Sequence, residues 1–176
     1  CTVNQSTKSA FASQNHLLIE QFGSFTNFKT DALVALNLAI CNDGFCIKIN
    51  KNSIIEDTIE IIELITNDAP SILNPFHFLN IEEGAQVTFS HTLINQNTNK
   101  TFYNSLFQFY QSANSICNFT SLQNLNKELY SVENKFNIDF VMQAYKFYLK
   151  EKKEFFLPSL FFDNLAGNST LRWQII

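Results

Sequence analysis

No apolar run in the chain approaches the roughly 18 residues that a membrane-crossing helix needs, so no transmembrane segment is expected. Positive charge is scarce too: 12 Lys and Arg stand against 16 Asp and Glu, a net charge of −4. A nucleic-acid binder carries a basic footprint, and its lack here argues against nucleic acid as a partner. There are four cysteines, at positions 1, 41, 46 and 117, and three histidines. The C-x4-C pair and scattered histidines lack zinc-ligand spacing, and neither metal nor cofactor is expected. No internal repeat is evident, and no acid–base motif stands out.

What is present is apolar. Hydrophobic residues make up 45% of 176 residues, and 19 of the residues are Phe. That composition suits one domain with a large packed core and argues against disorder. The abundance of Asn, Ile, Lys and Phe fits the codon usage of an AT-rich genome, and no function is read from it.

The most structured stretch runs from Leu36 to Thr66. Asp43-Gly44 has the signature of a two-residue hairpin turn, where both central residues take positive φ. That register sets Cys41 opposite Cys46, in a non-hydrogen-bonded pair close enough for a disulfide. Leu36, Leu38, Ile40, Phe45, Ile47 and Ile49 then share one face. Ser53 and Glu56 have capping-box spacing, which predicts a helix ending at Asn67, Asp68 and Pro70. At about 100° per residue, Ile54, Ile55, Ile59, Ile61, Ile62 and Ile65 gather on one side of it. Glu56, Asp57, Glu60 and Glu63 gather on the other, as a solvated face.

Cys1 in place of Met is read as the product of upstream processing, with two alternatives. One is a secreted protein in which Cys1 pairs. The other is a bacterial lipoprotein, lipid-anchored at the cell envelope through Cys1. Both place the chain outside the cytoplasm. Two disulfides are expected, Cys41–Cys46 by register and Cys1–Cys117 by elimination; a lipidated Cys1 leaves Cys117 unpaired. Glycosylation sequons stand at Asn4, Asn99, Asn118 and Asn168, although Asn is so abundant that their number alone proves nothing.

Elsewhere, residues 1–12 read as a polar tail and 13–176 as a single domain. Ser13–Phe25 and Phe28–Ala35 read as helices. Leu73–Ile81 is a weak strand and Gln86–Ile94 a better one, with a turn at Asn95–Lys100 and Thr101–Tyr110 returning as its partner. Ser121–Glu133 is ambiguous. Phe136–Leu149 reads as a long strand whose alternation slips in the middle, as at a β-bulge. Glu154–Phe162, with Pro158, reads as an edge strand, and Leu171, Trp173 and Ile175 alternate in a last one.

The fold class is therefore α+β: N-terminal helices and a hairpin packed against a long, bent antiparallel sheet. This element order resembles the nuclear transport factor 2-like fold, a cone-shaped roll, over Ser13 to Ile176. More narrowly, the hairpin with its cysteine, a following Lys and a helix, Cys41 to Ile65, is similar to the secreted nematode members of that fold. The resemblance implies a pocket between sheet and helices, used by some members for catalysis and by others for binding or dimerisation. Phe89, His91, Tyr103, Phe107, Phe140, Met142 and Trp173 are its candidate lining residues.

Chemistry-bearing residues are few. His91 lies on the apolar face of its strand, where a core histidine satisfied by a neighbour is the commoner outcome. His77 has no evident carboxylate partner, and Asp139 alternates outward. No catalytic residue carries over from the resemblance. A non-catalytic binding domain, with an apolar small molecule or protein partner or as a homodimer through the sheet, is favoured. The alternative is a small isomerase-, dehydratase- or hydrolase-like enzyme using His91. Finding His91 within hydrogen-bond reach of a carboxylate inside a cavity would favour the enzyme.

Overall fold

Runs rich in β-branched and aromatic residues set the architecture, because such side chains pack well on pleated surfaces. The computed structural model describes residues 2–22, 29, 31–66, 69–96, 98–137, 161–163 and 170–175. In chain order the elements are β1 (Thr2–Ser6), α1 (Thr7–Ala12), α2 (His16–Gln21), α3 (Ala32–Ile40), β2 (Phe45–Ile49), β3 (Ile59–Ile65) and β4 (Ser71–Leu73). They continue as β5 (Phe76–Ile81), β6 (Gln86–Asn95), β7 (Thr101–Gln111), β8 (Ile116–Asn124), β9 (Leu129–Asn137), β10 (Phe161–Asp163) and β11 (Thr170–Ile175).

The strands form two sheets. One runs β1-β2-β5-β7, with β4 and β9 also pairing β7; the other runs β10-β11-β8-β6-β3. From β2 to β9 the chain passes back and forth between them, so each turn of a solenoid lays one main strand on each sheet. Turn-to-turn pairings such as β3–β6, β6–β8, β5–β7 and β7–β9 are parallel. Among the described strands, antiparallel pairing is confined to β1–β2 and β10–β11. The mixed helix–strand composition is as expected, and the long antiparallel sheet is not what the strands form. β6 and β7, expected to pair with each other, lie in different sheets.

A repeat does exist, with a period near 30 residues. Asn74 follows Asn42 at a separation of 32, Asn104 follows Asn74 at 30 and Asn134 follows Asn104 at 30; the Asn74 backbone N–H donates to Asn42 Oδ1, and the Asn104 and Asn134 side-chain amides each donate to the Oδ1 of the Asn before. The corners repeat as well. Asn52, Gly84 and Asn114 all take positive φ, 58°, 67° and 57°, a region that Gly and Asn tolerate best. Asn52 N–H donates to the Glu83 carbonyl and Gly84 N–H to the Ala113 carbonyl. Part of the high Asn content thus has a structural use.

Between the sheets lies a core that includes Ile49, Leu79, Ile81, Phe89, Phe107, Phe109 and Phe119. The outer face of the first sheet, with Cys46, Phe76, Phe78 and Leu106, is covered by Ala10, Leu18 and Val34 of the three helices. Each helix begins at a side-chain cap, Ser6, Asn15 or Asp31, as short polar residues provide. Residues 2–12, expected as a tail, are β1 and α1. Ser121–Glu133 resolves into the end of β8, a turn and the start of β9.

Two corrections fall in the 36–66 stretch. There is no hairpin: Ala32–Ile40 is helical, and 42–44 pair outward with other elements. Asn42 N–H donates to Asn74 O, Phe76 N–H to Asp43 O and Thr7 N–H to Gly44 O. Gly44 does have positive φ, and a Cβ there would collide with the Phe76 carbonyl oxygen; close backbone approach, not a hairpin, requires the glycine. Cys41, at the C-cap of α3, and Cys46, in β2, are consequently free thiols in one apolar cluster. Cys117 is also free and fully buried, and Cys1 lies outside the described residues. Of the expected helix at 53–66, residues 53–58 are not helical, and residues 59–65 are instead the strand β3. Its β-branched residues satisfy a period of two as well as one of 3.6, and parallel pairing to β6 decides between them.

Candidate functional site

The strand reading of 59–65 reverses the role of one residue. Exposure alternates along β3, so that Ile59, Ile61, Glu63 and Ile65 turn inward and Glu60, Ile62 and Leu64 outward. Glu63 therefore stands not on a solvated acidic face but among the polar residues of the core.

Three groups converge on its Oε2. Tyr103 OH donates to it at 2.6 Å, His91 Nε2 lies at 2.7 Å, and His77 Nε2 is within ion-pair reach at 3.4 Å. Parallel stacking brings them together, since His91 sits beside Ile61 in the ladder and His77 beside Phe107. Both histidines are fully buried, whereas the Glu63 side chain keeps 22% of its exposure. Phe45 N–H points at His77 Nδ1 (3.4 Å), and Nε2 on the other side of the ring faces Glu63 without a hydrogen bond. The His77 ring is sandwiched by Phe45 and Phe107, centroids 4.1 and 4.3 Å away. His91 continues the chain through Nδ1 to Ser121 Oγ at 3.3 Å.

Burial disfavours the Glu63 anion, but the imidazoles of His77 and His91 outweigh it and hold the carboxyl far below the usual range. Burial, and then the Glu63 charge, push the Tyr103 phenol well above its ordinary value. Deeper in the core, Lys135 Nζ pairs with Glu133 at 2.8 Å and sits 5.5 Å from the ring centres of Phe107 and Phe119. Burial again opposes the Glu133 charge, and Lys135 and then His91 outweigh it.

Glu63 and Tyr103 also line a cleft of about 630 Å³ at the end of the solenoid where β3 is the last strand. One wall is 42–45 with Ile47, the other is all seven residues of β3, and Leu73 and Pro75 complete it. Its walls mix apolar side chains with almost as much polar surface. The charged residues lining it among those described are Asp43, Glu60 and Glu63, all acidic.

A carboxylate held this far down is a weak base, and Tyr103 spends its proton on Glu63. His91 and Ser121 are buried and do not line the cleft. His91 thus has its carboxylate, as the enzyme alternative required, but without access to the cavity. Among the described residues no group of three or more His, Cys, Asp or Glu side chains is arranged to hold a metal ion.

Of the residues anticipated to line a pocket, Phe89, His91, Tyr103 and Phe107 are brought together inside the solenoid, and of these Tyr103 reaches the cleft. Trp173 is in register with Phe119 on β11; Phe140 and Met142 lie outside the described residues. Of the sequon residues, Asn4 is on β1, Asn99 precedes β7, and Asn118 on β8 donates to Thr88 Oγ1 at 3.3 Å; Asn168 lies outside the described residues. Glu63 and His77 were not anticipated as partners. The signal for Glu63 was the alternation Ile59, Ile61, Glu63, Ile65, hidden by the helical reading of the same residues. No protein-family model matches this sequence, and no curated protein matches it.

Proposed function

We propose that the protein is a non-catalytic binding domain whose cleft takes an apolar ligand bearing a positive charge. The observation that carries this reading is Glu63: an anion, partly exposed, lining a cleft with several isoleucines and no basic residue among its described lining. All three of its contacts fall on Oε2, which leaves Oε1 for a ligand. Opposite charges 4 Å apart attract by about 4 kcal/mol at an effective dielectric of 20, before desolvation is subtracted. Apolar burial adds roughly 25 cal/mol per Å².

The test compares hexylammonium with hexan-1-ol, equal in apolar length, by NMR shift titration. The cation should bind about tenfold tighter or more, a difference of about 1.4 kcal/mol, and Glu63→Gln should remove the preference. Equal binding of the two would overturn the reading.

A second reading rests on the chain Ser121–His91–Glu63, which has the order of a nucleophile, a base and its orienting carboxylate. Ser121 is 1% exposed, and substrate would reach it only if the solenoid opened. Ester turnover abolished by Ser121→Ala, with the fold intact, would favour this alternative.

A further inference from the structure

The same end of the solenoid is uneven. Beyond β2 the first sheet continues by one more strand, β1. Across the core, β3 pairs with β6 on one side and with no described strand on the other. The second sheet is thus one strand short of the first at this level. Every residue of β3 from Ile59 to Ile65 lines the cleft, inward and outward alike. A cleft that touches both faces of a strand follows its edge, where backbone N–H and C=O groups have no ladder partner among the described strands.

We propose that the ligand is an extended peptide segment that adds to the free edge of β3 and presents a Lys or Arg side chain to Glu63. The inference rests on the reading of Glu63 as a cation site and adds the backbone as a second determinant. Main-chain hydrogen bonds along an open edge supply sequence-independent affinity, and alternate side chains supply selectivity. The residue beside Glu63 is basic. Residues two positions to either side meet Ile61 and Ile65 and are apolar, and the intervening ones lie beside exposed Ile62 and Leu64, which suits β-branched side chains. Charge selects this occupant, since Asp43, Glu60 and Glu63 all face the slot. An unpaired, largely apolar edge is otherwise a hazard that proteins cover.

The experiment uses the unmodified protein and four blocked heptapeptides. The first alternates Thr and Val around a central Lys. The second replaces Lys by norleucine, and the third keeps Lys but carries N-methyl groups on the amides of one edge, with a companion methylated on the other. Calorimetry should show the Lys peptide binding at least about tenfold tighter than the norleucine peptide. One of the two N-methylated peptides should lose a similar factor, and hydrogen exchange should slow at β3 amides on binding. Equal binding of both N-methylated peptides and the parent would overturn strand addition while leaving the cation site standing. So would failure of the Lys peptide to bind where hexylammonium does. Failure of both ligands would remove the cation site as well.

Discussion

Replacing Glu63 by Leu keeps roughly the same bulk but removes the acceptor on which three buried groups converge. Tyr103 OH and His91 Nε2 lose hydrogen bonds of 2.6 and 2.7 Å, and His77 Nε2 loses a charged neighbour at 3.4 Å. A buried donor left unsatisfied costs about 1–3 kcal/mol, and hydrogen bonds to charged groups lie at the upper end. Two such donors set the scale, and relief of the buried carboxylate's own desolvation offsets part of it. The expected destabilisation is therefore about 2–5 kcal/mol. Glu63→Gln keeps one acceptor oxygen and should cost about 1–2 kcal/mol. Urea unfolding at pH 7 reads both as shifts of midpoint at constant slope. Adding His91→Phe to Glu63→Leu should restore part of the loss, because the orphaned donor goes too. A Glu63→Leu protein within about 0.5 kcal/mol of wild type would refute the convergence of these groups on Glu63.

Three further outcomes follow. In the unfolded chain Glu63 titrates near 4.5, and in the fold far lower, so its contribution is complete above that value and is lost as pH falls below it; urea midpoints should drop more steeply below about pH 4.5 in wild type than in Glu63→Gln, and parallel slopes would contradict this. Phe119→Ala empties a core site contacted by Phe89, Phe107 and Phe109 and should cost about 3–5 kcal/mol, while Glu60→Ala, on the exposed face of β3, should stay within about 0.5; similar effects from both would mean the strand faces are misassigned. Asn104→Ala removes donations to the Leu33 carbonyl (2.8 Å) and Asn74 Oδ1 (3.0 Å) and the acceptor for Asn134. It should cost about 1–3 kcal/mol by thermal or urea unfolding, and a neutral result would show that the Asn stack is ornamental.

The strand at 86–94 was legible because of its alternation, and that at 101–110, buried on both faces, because it is rich in aromatic residues and follows a turn-like segment. Their pairing was not. A strand's sequence carries its faces but not its neighbours, and residues 95–100 serve a solenoid corner as readily as a hairpin. The repeat escaped because its marker, Asn at 42, 74, 104 and 134, is lost among so many other asparagines, and because its corners, Asn52, Gly84 and Asn114, share a conformation without all sharing a letter. Stacked core residues differ as freely, His77 above Phe107 above Lys135. At Ile54–Ile65 two periodicities fit the same isoleucines, and a plausible capping box tipped the reading toward helix, whereas propensity favoured strand. That choice hid the site, since it turned Glu63 to solvent and left His91 and His77 without an acid. His91 and Tyr103 were legible as polar residues on apolar faces, and their partner was not.

The charge on Glu63 carries the functional reading, and it can be observed directly. Carbon-13 NMR of the Glu63 side-chain carboxyl, assigned by its disappearance in Glu63→Gln, should show no titration step between pH 7 and 4, and its shift should move when hexylammonium is added at pH 7 but not when hexan-1-ol is. A step at or above the ordinary carboxylate value of 4.5, or a shift indifferent to the cation, would contradict the account.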